Sequence, residues 1–133
     1  MHTNEYMTNK PICIGPRDRL EDAQALMDAQ KFHRLPVIEN GQLIGILSER
    51  DIRSHLGYLK ITLVDAAMSS DPVTVTPTTS LEEVATLMLN RQIGGLPVVD
   101  NGQLVGIITV SDMLRAFLDL RRENKGAIGA GLP

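Results

Sequence analysis

Two short segments of the chain place a hydroxyl three residues before a carboxylate. They are Ser48-Glu49-Arg50-Asp51 and Thr109-Val110-Ser111-Asp112. Each follows an aliphatic run and precedes apolar residues at helical spacing, which is typical of a strand-to-helix junction. At such a junction both side chains can cap the helix by accepting hydrogen bonds from the free N–H groups of its first turn. A rigidly held carboxylate is also an acceptor for a polar ligand, and the residues alone leave both roles open.

The chain lacks the other groups that catalysis or metal binding requires. A nucleophile needs a base and an orienting partner, and the sequence shows no Ser-His-Asp or Cys-His constellation. It has no Walker or Rossmann glycine pattern and no cluster with metal-ligand spacing. We therefore expect a protein that is not an enzyme, with no catalytic residue, no metal site and no cofactor.

Both segments belong to a duplication of most of the chain. A shift of 61 positions places residues 7–56 on residues 68–117 without a gap, and about a third of the paired residues are identical. Two copies of this length are too few and too long for a solenoid, so we expect two small units that complete each other's core. The predicted units are residues 1–60 and 61–122, and the glycine-rich residues 123–133 are predicted to be a disordered tail.

Each copy begins with the same two predicted elements. A short strand is predicted at residues 11–14 and again at residues 72–75, because β-branched residues lie between prolines there. An amphipathic helix follows each strand, and Asp18 and Ser80 are the expected N-caps.

A hairpin and a second helix complete each copy. The runs 35–47 and 96–108 each hold Asn-Gly between aliphatic residues, and Asn-Gly readily adopts the positive φ angles of a type I′ turn. The second helix begins at the hydroxyl–carboxylate segment. Each unit thus has the order βαββα, which predicts an α+β fold.

Composition excludes several classes of partner. The 133 residues carry a net charge of -3, with 3% aromatic residues and no Trp, so neither a phosphate backbone nor stacked bases would find a matching surface. No apolar run approaches the roughly 18 residues of a membrane span. The single cysteine, Cys13, cannot form an internal disulfide. We expect a cytoplasmic protein that binds neither nucleic acid nor a membrane.

The duplicated order, with Leu-Pro-Val before each hairpin and the hydroxyl–carboxylate segment after it, resembles the CBS domain family, named after cystathionine β-synthase. The resemblance covers residues 3 to about 120. It implies a tandem pair, often called a Bateman module, in which two units pack through their sheets about a pseudo-twofold axis. It also implies two composite clefts that bind adenosine compounds such as AMP, ADP, ATP, S-adenosylmethionine or NAD.

The resemblance also implies a role for individual residues. In each cleft the carboxylate of one unit would accept hydrogen bonds from ribose hydroxyls, the neighbouring hydroxyl would face phosphate, and the first strand and Leu-Pro-Val of the other unit would bracket adenine. The first cleft would comprise Asp112, Thr109, Ser111, Lys10, Ile12, His33, Arg34, Leu35, Pro36 and Arg50. The second cleft would comprise Asp51, Ser48, Asp71, Val73, Gly95, Leu96 and Pro97.

The copies differ in charge beside the predicted clefts. His33-Arg34 precedes the first Leu-Pro-Val, whereas Gly94-Gly95 precedes the second, and Arg50 corresponds to Ser111. We expect these cations to collect around phosphate in the Asp112 cleft, and the Asp51 cleft to lack comparable cations apart from a rearranged Arg50. Solvated surface arginines are the alternative interpretation.

By this resemblance the chain is a regulatory, energy-sensing module that binds AMP, ADP or ATP and signals through an effector protein. It would form a homodimer, a disk of four CBS units. A ligand-free assembly module, or a sensor of S-adenosylmethionine or NAD, is the alternative.

Overall fold

Two three-stranded sheets and five helices make up the structure, a computed structural model that describes the backbone of residues 1–131 and the side-chain surroundings of residues 1–124. The strands are β1 (Thr8–Asn9), β2 (Arg34–Glu39), β3 (Gln42–Ser48), β4 (Ser69–Ser70), β5 (Gly95–Asp100) and β6 (Gln103–Thr109). The helices are α1 (Leu20–Gln30), α2 (Glu49–Arg53), α3 (Val64–Ala67), α4 (Leu81–Arg91) and α5 (Val110–Gly131). A single 3-10 turn covers Thr3–Glu5. The predicted α+β class is confirmed.

Both predicted hairpins are confirmed. β2 pairs with β3 and β5 pairs with β6, in each case antiparallel and with one register shift. Asn40 and Gly41 have φ angles of 50° and 78°, and the second turn repeats these values within one degree at Asn101 and Gly102. These positive values are those of a type I′ turn, so the Asn-Gly signal fixed the hairpin positions.

The predicted cap of α4 is confirmed, whereas that of α1 is wrong. The Ser80 hydroxyl accepts a hydrogen bond from the Glu83 N–H at 3.2 Å. Asp18 instead accepts the Gly15 N–H at 2.8 Å, which closes the turn before the helix. Helix α1 therefore begins one residue later, with Arg19 as its N-cap.

The short first strands lie earlier in the sequence than predicted. Residues 11–14 and 72–75 contribute only isolated parallel bridges, Ile14 with Val37 and Val75 with Val98. The paired strands are β1 and β4, which precede the prolines. The reason is that proline has no N–H to donate to a ladder, and Lys10 and Asp71 adopt positive φ angles that turn the chain between strand and proline.

These short strands exchange between the units. β1 pairs with β6 of the second unit, whereas β4 pairs with β3 of the first. The first core lies beneath α1 and includes Leu35 and Leu47, and residues Leu59 to Met68 pack against it. The second core includes Leu96 and Ile108, and Tyr6 and Met7 pack against it. A boundary at residue 60 therefore separates the sequence repeats, but each packed unit borrows its edge strand from the other repeat.

The last helix is longer than the sequence predicts. α5 runs from Val110 to Gly131, so residues 123–131 are helical and the expected disordered tail is corrected over that range. Good helix formers at positions 123, 125 and 127 extend the helix across the first of the glycines. Leu132 and Pro133 lie outside the described residues. None of the described helices combines the length and the apolar character needed to cross a bilayer.

Candidate functional site

The two repeat carboxylates lie at the first turns of α2 and α5 and are held there by capping bonds. Asp51 accepts the Ser48 N–H at 2.8 Å, and the Ser48 hydroxyl accepts the Asp51 N–H at 3.2 Å. At α5, Asp112 Oδ2 accepts both the N–H and the hydroxyl of Thr109, at 2.8 and 3.1 Å. The capping role is therefore real in both copies. It also fixes each carboxylate at the mouth of a cavity between the units.

The first cavity, here called the Asp112 cleft, has a volume of about 310 Å³. It joins the start of α5 to the segment before the first hairpin. Its lining includes seven of the predicted residues, namely Asp112, Thr109, Ser111, Ile12, His33, Arg34 and Pro36. Thr8, Pro11, Lys31, Phe32, Gly94, Ile107, Val110 and Arg115 complete it. The cleft is composite, with contributions from both halves of the sequence.

Three residues predicted for this cleft lie outside its lining. Lys10 is exposed in the turn that its φ of 49° creates. Leu35 is fully buried in the first core. Arg50 lies on α2 and lines the other cavity.

The second cavity, here called the Asp51 cleft, has a volume of about 480 Å³. Three predicted residues line it, namely Asp51, Ser48 and Gly95. Asp71, Val73, Leu96 and Pro97 do not, because Asp71 is exposed on a turn and Leu96 and Pro97 are buried within β5. The other lining residues are His33, Arg34, Ile46, Glu49, Arg50, Arg53, Ser69, Gln92, Ile93 and Gly94.

The distribution of cations corrects the expectation that the Asp51 cleft lacks them. Arg34, Arg50 and Arg53 all line that cleft, and Arg34 lines the Asp112 cleft as well. Arg34 reaches both clefts because two glycines, Gly94 and Gly95, lie across the interface between the units. A Cβ on Gly95 would lie 2.5 Å from Arg34 Cδ, and one on Gly94 would overlap the Arg34 guanidinium. Glycine at both positions lets Arg34 extend across the boundary between the clefts.

Arg34 and Arg50 both line the Asp51 cleft, and the positive charge of Arg50 acts on Arg34. Within the described residues neither makes a salt bridge, and Arg34 is half-buried. Burial and the neighbouring Arg50 lower the pKa of the Arg34 guanidinium, although arginine stays protonated at neutral pH. The Glu49 carboxylate acts on the pKa of Arg34 in the opposite direction, but its salt bridges are to His33 and Arg53. Two cations in one cleft without a salt bridge favour a bound anion.

The Asp112 carboxylate also forms an ion pair within α5. Arg115, one turn along α5, donates from Nη2 to Asp112 Oδ1. The sequence analysis missed this residue, although its spacing of three from Asp112 on a helix was a usable signal. The first copy has Ser54 at the equivalent position, and Ser54 donates to the Arg50 carbonyl instead.

His33 joins the pre-hairpin segment to the start of α2. Its Nδ1 lies 2.7 Å from Glu49 Oε2, and this hydrogen bond is the main cause that lowers the pKa of Glu49. His33 and Arg34 both line the two clefts. No group of three His, Cys, Asp or Glu side chains that could hold a metal occurs in the described part of the chain.

Two duplicated α+β units with composite clefts at their junction define a tandem module. The chain belongs to the CBS domain family. The sequence profile of the CBS domain matches twice, over residues 4–58 and 64–119. These two matches confirm the family resemblance that was based on the duplicated motifs.

Known relatives have the same tandem organisation. The CBS domain-containing protein YhcV of Bacillus subtilis is 36% identical over 126 residues, which span 92% of this chain and 89% of YhcV. The crystal structure of CBSX2 in complex with AMP has a TM-score of 0.82 and 30% identity, and covers 90% of this chain and 98% of CBSX2. The CBS domain pair of protein MJ0100, in complex with 5-methylthioadenosine and S-adenosyl-L-methionine, has a TM-score of 0.82 and 25% identity, over 88% of this chain and 95% of MJ0100.

Proposed function

We propose that this protein is a regulatory module that binds an adenine nucleotide, AMP, ADP or ATP, in its inter-unit clefts and signals through a partner protein without catalysis. The observation that carries the proposal is the arginine pair, Arg34 and Arg50, which makes no salt bridge among the described residues and lines the Asp51 cleft together with the capped carboxylate of Asp51. Cations and an acceptor carboxylate in one cleft match the phosphate and ribose of a nucleotide.

The relatives support an adenosine ligand. CBSX2 was crystallised with AMP, and MJ0100 with two adenosine-containing compounds. In the Asp112 cleft, Ile12 and Pro36 supply apolar surface for adenine, while Thr109 and Ser111 supply hydroxyls at the N-terminus of α5. The positive end of that helix dipole favours phosphate.

The charge of the clefts favours a phosphorylated ligand over S-adenosylmethionine. His33 and Arg34 face both cavities, and Arg50 and Arg53 face the Asp51 cleft. A sulfonium ligand would bring a further positive charge to this surface, whereas a phosphate would neutralise it. S-adenosylmethionine is therefore the second candidate within the same class, and NAD, whose two phosphates also match the cations, is a further one.

Signalling requires that the ligand bind two arrangements of the units with different affinity. Each cleft takes its carboxylate from one unit and its opposite wall from the other, so a ligand in it ties the units together. We propose that a homodimer, formed through the exposed apolar side chains of α5, transmits this change to an effector. The side chains are Val110, Leu114, Phe117 and Leu118.

Thermal melting with added nucleotide tests the proposal. The melting temperature should rise with AMP, ADP or ATP concentration by mass action. Arg34→Ala should weaken nucleotide binding about ten- to a hundredfold, because a charged hydrogen bond contributes about 1.5–3 kcal/mol. Arg91→Ala is the matched control, since Arg91 is exposed at the end of α4 and lines neither cleft.

The rival function is an assembly module whose clefts bind no ligand. It predicts that none of the five adenosine compounds changes the melting temperature. A shift that survives both Arg34→Ala and Asp112→Ala unchanged would instead place the ligand elsewhere and contradict the proposed clefts.

A further inference from the structure

The carboxylate of Asp112 accepts hydrogen bonds from its own chain at both oxygens. Asp112 is 2% exposed, its Oδ2 accepts two bonds from Thr109, and its Oδ1 accepts from Arg115. Arg115 also lines the cavity that this carboxylate faces. A ribose hydroxyl that approaches Oδ1 therefore competes with the Arg115 guanidinium, and must share that oxygen with it or displace it.

The Asp51 cleft has no such competitor. Asp51 accepts only the Ser48 N–H among the described side-chain bonds. The residue three positions later is Ser54, which donates back to the Arg50 carbonyl. The surroundings of the two carboxylates thus differ at the helix position three residues later, where the second copy has Arg115 and the first has Ser54.

Displacement of Arg115 has a cost that depends on the ligand. An unphosphorylated nucleoside would take the Asp112 oxygen and leave the guanidinium without an acceptor. A nucleotide would bring phosphate oxygens into the same cavity, where Arg115 can form charge-assisted bonds that are about twice as strong as neutral ones. The Arg115 side chain is 62% exposed, so it is free to move between the two acceptors.

We infer that Arg115 determines the specificity of the Asp112 cleft, and selects phosphorylated over unphosphorylated adenosine compounds. This inference rests on the proposed nucleotide-binding function. Arg115 discriminates in two steps. It competes with ribose for Asp112, and it then forms charge-assisted hydrogen bonds only to a ligand that carries an anion.

Calorimetric titration of AMP and adenosine tests the inference. An Asp51→Asn background weakens the second cleft and leaves the Asp112 cleft to be measured. In this background we expect the protein to bind AMP more tightly than adenosine. Arg115→Ala should reduce the ratio of AMP affinity to adenosine affinity about tenfold. Adenosine binding should stay unchanged or become stronger. Arg121→Ala is the matched control, because Arg121 is an exposed arginine on the same helix and lines no cleft.

An unchanged ratio in Arg115→Ala, or a parallel loss of both ligands, overturns the role of Arg115 and leaves the proposed function standing. Failure of every adenosine compound to bind the native protein overturns both. Should Arg115→Ala destabilise the fold by leaving Asp112 unpaired, Ser54→Arg gives the complementary measurement in the native background. It should raise the preference of the Asp51 cleft for AMP over adenosine, and no increase would contradict the inference.

Discussion

Residues that correspond in the two repeats make different contacts because their surroundings differ. Arg34 and Gly95 correspond in sequence, yet Arg34 lies over the Gly94-Gly95 backbone and reaches both clefts. Asp112 and Asp51 likewise correspond, but only Asp112 is paired with an arginine on its own helix. A repeat that is symmetric in its backbone is therefore asymmetric in its charges.

At the same scale, Tyr6 ties the N-terminal segment to α5. Its hydroxyl donates to Asp119 Oδ2 at 2.7 Å, and this bond, with burial, raises the pKa of Tyr6 to about 12. The folded-state pKa lies above the ordinary value of 10.0, so the stabilisation is complete below pH 10 and is lost as the pH rises through 12. We expect Tyr6→Phe to lower the melting temperature at pH 7 and the difference from native protein to vanish by pH 12.

Circular dichroism melts across this pH range provide the measurement. Tyr58→Phe is the control, since Tyr58 is 62% exposed and its hydroxyl has no partner among the described residues. A difference between Tyr6→Phe and native protein that stays constant from pH 7 to 12 would contradict the assignment.

At the scale of elements, the exchanged strands depend on two glycines. Met7 and Thr8 lie against Gly106 on β6, and Met68 and Ser69 lie against Gly45 on β3 in the same way. A side chain at either glycine would meet a methionine and a backbone carbonyl. The close approach of β1 to β6 thus requires glycine at position 106, and that of β4 to β3 requires glycine at position 45.

We expect Gly106→Ala to destabilise the protein by about 1–3 kcal/mol, the usual cost of overpacking. The new Cβ would lie 2.8 Å from the Thr8 carbonyl oxygen, which cannot move without β1. Urea unfolding measures the change. Gly15→Ala is the control, because its Cβ would lie 3.3 Å from the Asp18 carboxylate and within 4 Å of no backbone atom of another segment. Equal stability of the two variants would show that β1 accommodates a side chain.

At the scale of the whole molecule, the surface of α5 is unlike the rest of the helical surface. Leu114, Phe117 and Leu118 are each more than half exposed and follow one another at helical spacing. The spacing places them on one stripe, and an exposed apolar stripe of this kind is typical of an interface. This stripe supports the proposed homodimer.

Light scattering after size exclusion tests the dimer at micromolar concentration. The native protein should elute as a dimer, and Phe117→Glu should shift it to a monomer, because a charge in an apolar interface is unpaired and desolvated. Ile61→Glu is the control, since Ile61 is 71% exposed but lies in the loop before α3. A monomeric native protein, or a dimer that survives Phe117→Glu, would contradict the interface.

Local patterns in the sequence were sufficient for much of the architecture. Asn-Gly turns, the Ser80 and Ser48 caps and the helical spacing of apolar residues depend on near neighbours, so both hairpins and the starts of α2 and α4 lie where they were predicted. The duplicated motifs were sufficient to identify the family. The repeat carboxylates were also placed correctly at the helix starts.

Only the tertiary structure decided which side chains share a cleft. The exchange of β1 and β4, the reach of Arg34 across Gly94-Gly95, and the placement of Arg50 beside Asp51 depend on contacts between residues that are far apart in sequence. The Arg115–Asp112 pair is local, but its importance comes from the cavity that both residues face. Sequence periodicity specifies the direction of a side chain relative to its own helix or strand, whereas the packing of two units specifies what that side chain meets.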